Sequence, residues 1–460
     1  MAYTVEELLE ALEDVDDATR EEAAKALAEL ANPDTLDALL RACEDDFWTV
    51  RLHAGCGVAK IGGPRALEAL ILLFNDSIAE VRNGAVEAMA QLGEATVGRL
   101  SKALKDERWR IREHAAKTCG LIAAPSVVDP LIAALRDRDG AVKSAAAEAL
   151  GRLKDLRAVQ PLVKLFKDSS KIVRETAGTA LVSIGQPSVK TLVEALKDSD
   201  FVVRCHAARA LGGMTSDYQY GRAWVRDAGV VDALIEALKD PDRAVREDAT
   251  IALGMIGDAR AIDALLEAMK DGAVKRHAIM SLGMIGDVRA LPAVLDAMKG
   301  KGIRQDGKPT PGCIVSEDAF IKEAATTALG HFRDPRVIPD MILALKDGVL
   351  REKASQALTM IGDAAIEPLV AFIYDPKASE VEDEGERVLS FATSRLSAVE
   401  ALRRIVLETL QHLGWEPPAD EDLDVDSSKT DNRRTDMPLG EAGRFGAAGD
   451  LAKGTIKPTS

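Results

Sequence analysis

One pattern recurs along most of the chain, and it limits the possible folds more than any other feature. Aligned on a single basic residue, the copies are anchored at Arg20, Arg51, Arg82, Arg112, Lys143, Arg174, Arg204, Arg246, Lys275, Lys322 and Arg351. The first seven anchors are separated by 31, 31, 30, 31, 31 and 30 residues. The stretch from Lys197 to Gly212 prints the template in full, as D-x-D-x-x-V-R-x-x-A-A-x-A-L-G. A period this regular marks a stack of like units rather than one thick globule.

Each unit reads as two antiparallel helices, because apolar residues recur at i, i+3, i+4 and i+7 in both halves. Around Arg246, Val231, Leu234, Ile235 and Leu238 line the first helix (A), and Val245, Ala249, Ala252, Leu253 and Ile256 the second (B). Six residues before the anchor stands an aspartate: Asp14, Asp45, Asp76, Asp106, Asp137, Asp168, Asp198 and Asp240. Its carboxylate is expected to accept backbone N–H groups where helix B begins and to pair with the arginine one turn inside that helix. Eleven residues after the anchor comes glycine in six copies, Gly62, Gly93, Gly185, Gly257, Gly286 and Gly362, suited to the left-handed turn that ends a helix. Alanine pairs such as Ala115-Ala116 and Ala207-Ala208 let neighbouring helices approach closely. The chain is 47% hydrophobic but only 4% aromatic, which favours thin helical layers. A lone hairpin cannot bury both faces, so the expected fold is all-α: a right-handed α-solenoid of eleven to twelve hairpins. Helices packed ~8–10 Å apart would make it on the order of 100 Å long.

The formal net charge of −16 argues against the basic footprint of a nucleic-acid binder. It also argues against an anionic membrane surface. No apolar run reaches the ~18 residues of a membrane span. The first residues, Met-Ala-Tyr-Thr-Val-Glu-Glu, have neither the basic nor the apolar region of a secretory leader. Five cysteines (Cys43, Cys56, Cys119, Cys205, Cys313) without a C-x-x-C read as buried free thiols in a reducing cytoplasm.

On these residues the unit resembles the short HEAT-like repeat named after phycobilisome (PBS) lyases, over roughly Val5 to Gly362. The resemblance implies an α-solenoid whose B helices line a concave surface. It leaves function open, because that family includes scaffolds, chromophore-lyase subunits and a di-iron hydroxylase.

Two insertions break the period. The first, residues 214–229, carries Tyr218, Tyr220 and Trp224 with Arg222 and Arg226, the residue types that dominate binding hot spots. The second, 299–315, carries Lys299, Lys301, Arg304 and Lys308 on a Gly- and Pro-rich loop suited to an acidic partner or a phosphate. The expected organisation is a repeat solenoid over 1–362, a helical cap over 363–415, and a Pro/Asp/Gly-rich tail over 416–460. The cap should pack through Val388, Leu389, Leu396, Val399, Leu402, Ile405, Val406 and Leu410. The tail is too polar to fold alone and is expected to order only against a partner or the groove.

Four histidines, His53, His114, His206 and His277, stand two residues after their anchors. Three of those copies carry an aromatic three residues before the anchor: Trp48, Trp109 and Phe201. The resemblance implies a comparison with the hydroxylase, which acts on deoxyhypusine and uses His-Glu pairs just after the anchor. None occurs here, and Glu113-His114 has the reverse order. No G-x-S-x-G or H-E-x-x-H is present. The expected function is therefore a non-catalytic scaffold or assembly factor holding a protein partner along helix B, with no metal or cofactor. Its contacts would be the histidine and aromatic stripe, the two insertions, and the acidic positions Glu113, Glu175, Glu247, Asp248, Glu323 and Glu352. The alternative is a lyase-like or metal-dependent enzyme, or enzyme subunit, acting on a partner protein.

Overall fold

A computed structural model describes residues 3–216, 228–300, 315–374, 385–412, 415–416 and 455–456. The helices alternate short A and longer B members. In the first half they are α1 (Val5–Ala11), α2 (Asp17–Leu30), α3 (Leu36–Ala42), α4 (Trp48–Ile61), α5 (Pro64–Leu73) and α6 (Ala79–Gln91). Then come α7 (Val97–Ala103), α8 (Trp109–Ile122), α9 (Val128–Ala134), α10 (Gly140–Leu153), α11 (Val159–Lys164) and α12 (Lys171–Ile184). They continue as α13 (Gln186–Ala195), α14 (Phe201–Gly213), α15 (Ala228–Ala237), α16 (Arg243–Ile256), α17 (Ile262–Ala268) and α18 (Lys275–Ile285). The last are α19 (Leu291–Lys299), α20 (Val315–Phe332), α21 (Ile338–Ala344), α22 (Arg351–Ile361), α23 (Ile366–Ile373) and α24 (Gly385–His412). Every even-numbered helix up to α22 carries an anchor, so the array is an α-solenoid of eleven A–B hairpins followed by α23 and α24. Trp415–Glu416 and Thr455–Ile456 form a two-residue antiparallel pair. The chain divides into two compact units, Met1–Ser281 and Leu282–Ser460.

Local chemistry sets the hairpin. The template aspartate accepts the N–H two residues on: Asp45 from Phe47 at 2.8 Å, Asp137 from Asp139 at 2.8 Å, Asp240 from Asp242 at 2.9 Å. Where the second aspartate of D-x-D is present it caps helix B itself; Asp200 accepts from Val202 at 2.9 Å. The six glycines eleven residues past the anchor all have positive φ. So do Ala31, Ala123, Lys154 and Arg333 at the same position, with φ of 51° to 54°. The left-handed turn thus forms in four repeats without glycine, and only after α14, where Thr215 lies in a 3-10 turn, is it replaced.

The aspartate's ion pair differs from the sequence expectation. It pairs not with its own arginine but with that of the preceding repeat. Arg112 gives Nε and Nη2 to Asp137 at 2.7 and 2.9 Å, while its Nη1 reaches back to the carbonyls of Asp106 and Glu107. Arg20–Asp45, Arg51–Asp76, Lys143–Asp168, Arg204–Asp240 and Arg246–Asp271 repeat this rung. The cause is geometric. An anchor's own turn offers only carbonyls at the right distance, whereas the next turn, one layer on, presents the carboxylate. Burial works to raise Asp137, but the Arg112 hydrogen bond and the Asp139 N–H win and hold it below the ordinary carboxylate value.

Successive B helices also touch through one small-residue pair. The residue eight past one anchor meets the residue six past the next, as Gly120 does Ala149; a Cβ added to Gly120 would lie 2.8 Å from the Ala149 Cβ. Gly151 with Ala180, Gly212 with Ala252 and Gly254 with Ser281 follow the same rule. The alanine pairs named above are buried, but this offset is the actual point of closest approach.

In the C-terminal unit, α24 is one helix. It packs through Ser394, Ala398, Ala401 and Ile405, while Leu396 is 69% exposed and Val399 is exposed too. Ile405 keeps its expected place, Leu396 and Val399 are corrected, and the side chains of Val388, Leu389 and Leu410 lie outside the described ones. The neighbouring α22 presents Ala354, Ser355 and Ala357, and the Ser355 hydroxyl donates to the Ser397 carbonyl at 3.2 Å. So close a backbone approach admits only small residues.

Candidate functional site

Two aromatics at the first turn of helix B reach the surface. Trp109 opens α8 and is 40% exposed; Phe201 opens α14 and is 46% exposed. The Arg110 guanidinium lies 5.0 Å from the Trp109 ring centroid. Trp48, at the same place on α4, is half-buried.

The histidines do not share this exposure. His114 is 4% exposed, packs beside Phe74 and has its Nδ1 2.8 Å from the Arg110 carbonyl. It is therefore an interior residue, packed against the end of an A helix, which corrects its assignment to a partner-binding stripe. Glu113 is engaged with Lys117 at 2.7 Å. His53 is half-buried, 3.8 Å from Glu21. The His277 Nδ1 is buried without a hydrogen-bond partner among the described residues. These histidines sit on separate repeats, and among the described residues no three His, Cys, Asp or Glu side chains converge to hold a metal ion.

The middle of the N-terminal unit holds the densest polar cluster. His206 is stacked on Phe166, with ring centroids 5.3 Å apart, and its Nε2 accepts from Arg174 Nε at 3.3 Å. Burial, then Arg209 and Arg174, push its pKa down to about 4, so the ring is neutral and free to accept. Arg209 donates to Asp248 at 2.8 Å. Asp248 was expected as a groove charge, but it is buried, with its second oxygen unpartnered among the described residues. Burial raises its pKa despite Arg209. The neighbouring Cys205 thiol is pushed up to about 12 by burial and then by Asp248, which makes it inert. Beside this cluster a hollow of about 340 Å³ opens between α12 and α14, lined by Glu175, Thr179, Val182, His206, Arg209 and Gly213 among others.

The remaining expected contacts divide in two. Lys299 closes an ion pair with Asp340 at 2.9 Å within the C-terminal unit, so its charge is already engaged. Glu247 is likewise met by Arg243 at 2.7 Å. Tyr218, Tyr220, Arg222, Trp224, Arg226, Lys301, Arg304 and Lys308 lie outside the described residues, as does Cys313. No helix among the described residues is long and apolar enough to cross a membrane.

Stacked A–B hairpins held by a rung between successive turns define an α-solenoid repeat protein. The family model for HEAT repeats matches residues 5–90, 97–182, 159–220, 189–273 and 231–305, and the one for the PBS lyase HEAT-like repeat matches 321–347. The chain belongs to the HEAT-repeat family. No curated protein matches it. Among solved structures, Kap121p is similar at 16% identity and a TM-score of 0.58, over 90% of this chain and 52% of that one. The karyopherin Kap121p bound to the extreme C-terminus of the protein phosphatase Cdc14p gives 16% and 0.57, over 89% and 50%. Kap121p bound to the SUMO protease Ulp1p gives 15% and 0.59, over 87% and 49%. The chain thus spans about half the length of the karyopherin chains it matches, and at this identity the likeness is one of fold.

Proposed function

We propose that the protein is a non-catalytic scaffold or assembly factor that holds a polypeptide partner along its B helices, in the cytoplasm. The observation carrying this reading is the placement of Trp109 and Phe201, two large exposed aromatics at equivalent first-turn positions in a chain that is 4% aromatic. Aromatic anchors of this kind dominate binding energy. The fold supports it, since the similar karyopherin structures include complexes with other proteins. The partner surface is polar or basic in this reading, given the net charge of −16.

The test is affinity purification of the tagged protein from its own cells, with Trp109→Ala/Phe201→Ala alongside. Both positions are exposed, so the double variant should keep its helical circular dichroism and melting temperature. A partner recovered with the wild type should fall about tenfold or more, as the loss of two hot-spot aromatics entails. Equal recovery from both proteins would remove the B-helix first turns from the interface.

A further inference from the structure

Between α2 and α18 the rung between successive repeats is missing at two junctions, three repeats apart. Arg82 keeps its bonds to the carbonyls of Asp76 and Ser77, but Asp106, its expected partner, turns on to Arg108 at 2.9 and 3.0 Å. Arg174 keeps the carbonyls of Asp168 and Ser169 and gives Nε to His206, while Asp198 is held by Lys167 at 3.1 Å. All six other junctions between α2 and α18 have their rung.

An independent feature fails at the same two junctions. The close-contact pair between B helices is Ala28/Gly57, Ala59/Ala88, Gly120/Ala149, Gly151/Ala180, Gly212/Ala252 and Gly254/Ser281 wherever the rung is intact. At α6–α8 it is Ala90/Thr118, and at α12–α14 it is Val182/Ala210. A β-branched side chain does not fit where Cβ atoms would meet near 3 Å, so it holds the helices apart. Both junctions also carry a buried phenylalanine against a histidine, Phe74 with His114 and Phe166 with His206, and at α12–α14 a hollow of about 340 Å³ lies between the helices. A pair that cannot close to backbone range would also carry the anchor away from the next carboxylate, which ties the two features together.

We propose that the array from α1 to α18 opens at two built-in junctions, α6–α8 and α12–α14, and so behaves as three blocks of three repeats. Neighbour-only contacts make the stability of such an array a sum of repeat and junction terms, and it separates first where the junction is weakest. The proposal stands whether or not a partner occupies the B helices.

Native-state hydrogen exchange of the full chain, read by mass spectrometry across a low-urea series, tests it. Peptides from α1–α6, α7–α12 and α13–α17 should exchange as three groups, each with one urea dependence. Arg112→Ala should speed exchange in α8 and α10 by about a hundredfold or more, and Arg82→Ala in α6 and α8 by only about fivefold. One shared opening from α1 to α17, or a boundary at an intact rung such as α8–α10, would overturn the proposal. Equal effects of the two arginine substitutions would do the same.

Discussion

The α8–α10 and α12–α14 junctions join like hairpins at like spacing, yet they are held by different physics. At α8–α10 a buried arginine forks on to the next aspartate, and Gly120 sits on Ala149 at backbone range. At α12–α14 the arginine meets a neutral histidine, Val182 stands where the intact junctions have a small residue, and a hollow is left. The comparison shows that a repeat has two kinds of position. The cap aspartate and the left-handed turn make the hairpin, and both junctions keep them. The fork and the small-residue pair join hairpins, and these can be relaxed at one junction without harm to the fold.

The sharpest way to break the comparison is to remove the fork on each side. Arg112 and Asp137 have side chains only 6% and 11% exposed, so Arg112→Ala strands a buried carboxylate and two carbonyls. The expected cost is about 3 kcal/mol or more. Arg82→Ala removes only bonds to carbonyls and should cost about 1 kcal/mol. Urea denaturation at pH 7 reads both values, and equal losses would show that the rung adds nothing to the junction.

Acid separates the junctions in a second way. His206 titrates near 4 when folded and near 6.5 when unfolded, so above pH 6.5 it is neutral in both states and contributes no pH dependence. As pH falls from 6.5 to 4 the unfolded chain takes the proton first, and roughly 2–3 kcal/mol of stability is lost. The rung aspartates behave differently: their folded pKa values lie below 3.8, so their contribution is present above that value and lost only as pH falls further. A stability profile from pH 7.5 to 4.5 should therefore slope downward, and His206→Gln should make it shallower, the remaining slope coming from His114 and His331, whose pKa values burial also lowers. An unchanged slope in that variant would place the titrating group elsewhere.

Much of this grammar was legible in the sequence, because its parts act within one hairpin. Asp137 capping Asp139 and Gly185 ending α12 lie a few residues from what they serve. The Arg112–Asp137 rung was not, since both residues fit a local pairing equally well and only the stacking geometry decides between them. His114 and His206 were misread for a related reason. Their spacing places them on helix B, but whether that side faces solvent or the next repeat depends on the layer below. Ser394 and Ala398 on α24 were passed over because small residues are weak signals of burial until a close helix is known to lie opposite. The exposed first-turn aromatics were found by position alone.

The close-contact pair offers a further test at the intact junction. Gly120→Val puts a branched side chain where a single Cβ would already lie 2.8 Å from Ala149, and should cost roughly 2–3 kcal/mol. Val182→Gly at the open junction removes a prop rather than adding one, so its cost should be near the ~1 kcal/mol of glycine in a helix. A smaller loss for Gly120→Val would mean that α8 and α10 part without penalty.

The smallest effect concerns what the junctions share. Ala123 ends α8 at φ 54°, in the region where other repeats place glycine, and Lys154 ends α10 at the same angle. An L-residue there carries roughly 1 kcal/mol of steric strain that glycine avoids, partly offset by glycine's greater unfolded-state entropy. Ala123→Gly and Lys154→Gly should each raise stability by about 0.5 kcal/mol, and together by about 1 kcal/mol, since they lie on different turns. The same substitution at Ala124, one residue on and in extended backbone at φ −79°, should only destabilise. Thermal melts of the three single variants check this, and a gain at Ala124 equal to that at Ala123 would show that the left-handed turn is not the source.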